Sequence, residues 1–85
     1  MTLIWKEKKN PPGAVYYATL VGEAWSPTLG KSVPDFVWGM VSKASRADKF
    51  LAWNSIRMET VGLYYHKTRA KKAVVASVVE QALMR

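Results

Sequence analysis

Residues 14–22, AVYYATLVG, are apolar at nearly every position and follow directly on the turn residues Asn10, Pro11, Pro12 and Gly13. A run this rich in β-branched and aromatic side chains reads as a strand. Because it is apolar on both faces, it has no side to give to water and must lie inside a sheet. Across the turn, residues 3–8 (LIWKEK) alternate, with Leu3, Trp5 and Glu7 on one side and Ile4, Lys6 and Lys8 on the other. The two segments predict an N-terminal β-hairpin.

The rest of the chain must supply the partners of that inner strand. Residues 23–34 (EAWSPTLGKSVP) hold two prolines and a glycine among small polar residues, which predicts a long connection with at most a short edge strand. Residues 36–43 fit two templates. Phe36, Val37, Met40, Val41 and Ala44 follow helical spacing behind Pro34, while Phe36, Trp38 and Met40 alternate as in a strand. Gly39 weakens the helix more than the strand, so a strand is preferred. In residues 54–61, Ile56 and Met58 alternate with Ser55, Arg57 and Glu59, as in a half-buried strand. From Thr68 onward, Val74, Val75, Val78, Val79 and Ala82 form one helical stripe opposed by Ser77, Glu80 and Gln81. The expected fold is α+β, one domain over residues 1–85, with a small antiparallel sheet of three to five strands packed against a C-terminal α-helix.

A chain of 85 residues buries on the order of 60–65% of its unfolded surface, enough for one core and little more. It contains no cysteine, so that core holds without disulfides or thiolate-bound metal. The N-terminal MTLIWKEKKNPPG places apolar residues before lysines, the reverse of a signal peptide, and no apolar run is long enough to span a bilayer. The expectation is a cytoplasmic protein with no membrane partner.

Chemistry-bearing patterns are sparse. Gly30, Lys31 and Ser32 match the end of a phosphate-binding loop, but Trp25 stands where that motif needs its first glycine. One histidine and six scattered acids suggest neither a metal site nor a bound cofactor. His66 has cations all around it and no activating partner in sequence. The chain is therefore read as a binding module and not an enzyme.

The informative feature is charge. Thirteen Lys and Arg against six acids give a net +7, which favours an anionic partner. The cations form three groups: Lys6, Lys8 and Lys9; Lys43, Arg46 and Lys49; and Lys67, Arg69, Lys71 and Lys72. Ten aromatics accompany them, most on strand positions that the core needs. Trp25, in the Pro-containing connection, and Tyr64 or Tyr65, beside the third group, are the candidates for exposure. The candidate site thus comprises Lys67, Arg69, Lys71, Lys72, Lys6, Lys8, Lys9, Tyr64, Tyr65 and Trp25.

The third group poses a local question. With Thr68 as helix N-cap, Arg69, Lys71 and Lys72 fall in the first turn, where the helix dipole favours anions and a glutamate at position 71 would complete a capping box. With a start near Lys72, the same residues form a basic loop. The first arrangement suits a phosphate or carboxylate ligand. Two functions follow from these residues: a module that binds nucleic acid or a nucleoprotein complex, or a small inhibitor or adaptor that sets its basic face on an acidic protein surface, as accessory proteins of mobile elements do against host nucleic-acid-processing or defence complexes. Self-association is compatible with either.

Overall fold

The computed structural model describes residues 3–9 and 12–83, the last three of these for their backbone alone. Five strands, β1 (Leu3–Glu7), β2 (Ala14–Ser26), β3 (Lys31–Ala44), β4 (Phe50–Asn54) and β5 (Glu59–Tyr64), precede one helix, α1 (Lys67–Leu83). The strands form a single antiparallel sheet in the order β1-β2-β3-β4-β5. The α+β architecture matches expectation, and β2 lies between β1 and β3, where its two apolar faces require it.

The hairpin of β1 and β2 forms as read, and Gly13 takes a φ of 71° that suits glycine in its turn. Asn10 and Pro11 of that turn lie outside the described residues.

Two other segments differ from the reading. Residues 23–34 are not a long connection: β2 runs on to Ser26 and β3 starts at Lys31, with Trp25 opposite Ser32 and Ala24 opposite Val33. The punctuating residues sit where strands tolerate them. Pro27 opens a tight turn in which the Gly30 amide donates to the Ser26 carbonyl at 2.8 Å and Gly30 adopts φ 66°. Pro34 falls where the register slips between Gly22 and Ala24, on a stretch of β3 that β4 does not reach, so its missing N–H breaks no ladder.

The second difference is at 54–61. The alternation of Ile56 and Met58 belongs to a turn between β4 and β5, with Met58 at φ 56°. Asn54 creates that turn: its buried side-chain oxygen accepts from the Ile56 and Arg57 amides at 2.9 and 3.0 Å, while its side-chain nitrogen donates to Ser77 Oγ on α1 at 3.0 Å. A hydrogen-bonding side chain has overridden a short periodic pattern.

α1 lies over β3, β4 and β5. Ala70, Val74 and Val78, spaced four apart, are fully buried against Leu20, Val41 and Ala52. Valine's weak helix propensity costs only tenths of a kcal/mol per residue, and burial of this stripe outweighs it. Gly39 permits the close approach, since a Cβ there would come within 2.3 Å of Val74 Cγ1 and 2.9 Å of the Trp53 carbonyl. The outer part of the β2–β3 hairpin extends past the helix-covered region. Its 13-residue strand, at about 3.3 Å per residue, accounts for the molecule's 42 Å long dimension. Among the described residues, no helix is long and apolar enough to cross a membrane.

Candidate anion-binding end

In an antiparallel meander, alternate connections emerge on the same edge of the sheet. The β1–β2, β3–β4 and β5–α1 connections therefore share one end of the molecule, and the three basic groups of the sequence lie on them or beside them. Register confirms the convergence: Ala14 pairs with Ala44, Tyr16 with Lys43 and Phe50 with Tyr64. Lys8, Lys9, Lys43, Arg46, Lys49, Lys67, Arg69, Lys71 and Lys72 gather there with the acids Glu7 and Asp48, so the excess of positive charge among the described residues lies at this end. Elsewhere among the described residues, Lys6, Lys31 and Arg57 are outnumbered by Glu23, Asp35, Glu59 and Glu80.

Aromatic rings form the floor beneath the cations. Tyr16 and Phe50 meet edge to face at 5.5 Å. Lys43 Nζ lies 5.3 Å from the Phe50 ring centre, Lys67 Nζ 5.3 Å from Tyr16, and Lys49 Nζ 4.8 Å from Tyr65. These contacts let lysine stems cover apolar surface while the ammonium groups stay near solvent. Tyr65 is 65% exposed. Tyr64 is half-buried, lies against Gly62 and packs on the core.

The helix question resolves toward the early start. The Ala70 amide donates to the His66 carbonyl at 3.1 Å, which makes His66 the N-cap and Lys67, Thr68 and Arg69 the first turn. That turn contains no acid. The capping-box position is thus 69, not 71, and an arginine occupies it.

Lys71 is not one of the cations open to a partner. Its Nζ lies 2.9 Å from Glu7 Oε1 on β1, and Tyr16 donates its hydroxyl to the same carboxylate oxygen at 2.7 Å. The Trp5 and Tyr16 rings lie 5.4 and 5.6 Å from the ammonium. The hydrogen bonds from Lys71 and Tyr16 hold the Glu7 carboxyl below its usual range. Burial pushes the Tyr16 hydroxyl up, and Lys71 draws it partly back. For Lys71, burial alone would lower the pKa, but the bonds to Tyr16 and Glu7 prevail and raise it. Glu7 therefore supplies from β1 the negative charge that the helix start lacks in its own sequence.

The other expected site residues divide in two. Lys8, Lys9, Lys67, Arg69 and Lys72 are exposed at the basic end. Lys6 leans away from it and meets Asp35 of β3 at 3.4 Å. Trp25 is exposed but stands on the distal hairpin, nine residues or roughly 30 Å of strand from Tyr16, beside an apolar recess of about 560 Å³ formed with Phe36 and Trp38. Lys43, Arg46 and Lys49 also stand at the basic end, although sequence reasoning left them out of the candidate site. Strand parity was the signal that would have placed them. Comparison with protein-family models, curated proteins and solved structures finds no match for this chain.

Proposed function

We propose that this protein is a non-enzymatic binding module whose basic end engages the phosphates of nucleic acid, alone or within a nucleoprotein complex. The observation that carries the reading is the convergence of three sequence-distant basic groups on one end, which holds the excess of positive charge among the described residues. Cations spread over three connections can follow a phosphate backbone across the width of a sheet, and Tyr65 offers an exposed ring for base stacking. The open donors of the α1 start, surrounded by Lys67, Arg69 and Lys72, suit one phosphate.

Fluorescence anisotropy with a labelled oligonucleotide tests this. If four to six phosphates of a single-stranded oligonucleotide are neutralised, affinity falls on the order of a hundredfold between roughly 50 and 200 mM salt. Absence of binding at low salt would remove the proposal. Co-purification of a single protein that survives nuclease treatment would instead assign the basic end to an acidic protein surface.

A further inference from the structure

Beside the basic end, the helix layer is incomplete. Four inter-strand gaps of about 4.8 Å make the sheet roughly 19 Å wide between its outer strand axes, and a helix with its side chains is about 10–12 Å across. Since α1 lies over β3, β4 and β5, the same face of β1 is left with a groove of about 470 Å³ between Trp5 and the flank of α1. That flank is a second seam on the helix. Thr68, Lys72, Val75 and Val79 recur at steps of four, three and four, with the small Ala76 beside them, and all but the half-buried Val75 are exposed. This spacing is the one by which a helix receives a neighbour laid alongside at a shallow angle.

The seam changes chemistry along its length. Lys67, Lys71 and Lys72 rim the half near the helix start, with Lys71 Nζ 5.4 Å from the Trp5 ring that lines the groove opposite α1, while Val75, Ala76 and Val79 form the apolar half. We infer that the groove seats an amphipathic helix from a partner protein, whose apolar stripe lies on Trp5, Val75 and Val79 and whose acidic turn meets Lys67 and Lys72. Charge complementarity selects this occupant. A second copy's α1 fails in both directions: antiparallel, it sets its lysines on Val75 and Val79; parallel, it sets lysine against lysine. The site goes beyond phosphate binding, because its floor is apolar, yet it shares Lys67 and Lys72 with the basic end, so the two ligands antagonise each other.

The probe is a synthetic peptide of about 15 residues, roughly four turns, with leucines at three-four spacing and glutamates in one terminal turn, compared with a scrambled peptide of equal composition. Binding to the full chain is read by anisotropy, and its location by amide chemical shifts. The patterned peptide should bind at least about tenfold tighter than the scrambled one, with shifts confined to β1 and the 68–79 flank of α1. Ala76→Arg, at an exposed position, should block the groove and cost about tenfold or more, and Lys72→Glu about three- to tenfold. In both variants an unchanged amide spectrum away from the groove verifies folding.

Equal binding of the two peptides, no measurable binding, or shifts centred elsewhere would overturn the inference. So would displacement of the peptide by micromolar laurate, which would make the groove a lipid site. Self-association abolished by Ala76→Arg would also overturn it and assign the groove to a second copy. Because Ala76→Arg leaves every cation in place, oligonucleotide affinity that survives the substitution separates failure of this site from failure of the phosphate-binding end.

Discussion

Gly39 sets how closely helix and sheet can meet. Val74 Cγ1 and the Trp53 carbonyl occupy the space that a Cβ would need, so Gly39→Ala must push α1 outward or distort β3. Overpacking of this kind costs about 1–3 kcal/mol, and urea denaturation should show that loss with an unchanged m value. Glu7 and Lys71 respond to pH with opposite signs. The Glu7 pKa is lowered in the fold, so its contribution is present above the ordinary value of 4.5 and lost as pH falls through the lowered one. The Lys71 pKa is raised, so its contribution is present below the ordinary 10.5 and lost only as pH climbs past the raised one. The bridge accordingly acts at full strength between these two ordinary values. An NMR titration should find the Glu7 carboxyl below the normal range, and Lys71→Met should return it toward 4.5.

At the scale of elements, the start of α1 is where structure most changes what the sequence suggests. Sequence alone places a capping box at position 71, yet the N-cap is His66, and a glutamate at 71 would face the Glu7 carboxylate. The informative substitution is Arg69→Glu. It places an acid in the first turn, at the capping-box position, and should stabilise the fold by about 0.3–1 kcal/mol while weakening oligonucleotide binding severalfold. Thermal unfolding and anisotropy on the same sample check both directions. If binding and stability fall together, the cations of this turn serve folding and not a partner.

The legibility of the other elements follows from similar causes. β2 was legible because a two-sided apolar strand has few places to go, and α1 because paired valines four apart fit helix spacing better than strand alternation. The distal hairpin was not, because Pro27, Gly30 and Pro34 carry loop chemistry in sequence but occupy a four-residue turn and a register slip in the fold. The 54–61 segment misled because its alternation has no bearing on a turn that Asn54 fixes through two backbone amides.

At the scale of the whole molecule, one topological fact organises the charge. A meander of five strands and a following helix sends its first, third and fifth connections to the same edge, and the basic groups happen to lie on those three and not on the second and fourth. Sequence reading found the first and third groups as separate patches. It named Lys43, Arg46 and Lys49 as a middle group but left them out of the candidate site, because their nearness to the other two depends on parity, a property of the assembled sheet. It also placed Trp25 in the candidate site with the first and third groups, although strand length carries that ring to the opposite end. The most direct measurement compares two triple charge reversals of identical net change. Lys9→Glu, Arg46→Glu and Arg69→Glu take one cation from each basic connection, whereas Lys6→Glu, Lys31→Glu and Arg57→Glu take three from elsewhere. In salt-dependent anisotropy with a labelled oligonucleotide, the first set should lose on the order of a hundredfold in affinity and flatten the log–log salt slope by about two to three, while the second stays within roughly threefold of the parent. Equal losses from both sets would show that only overall charge matters and would contradict a single anion-binding end.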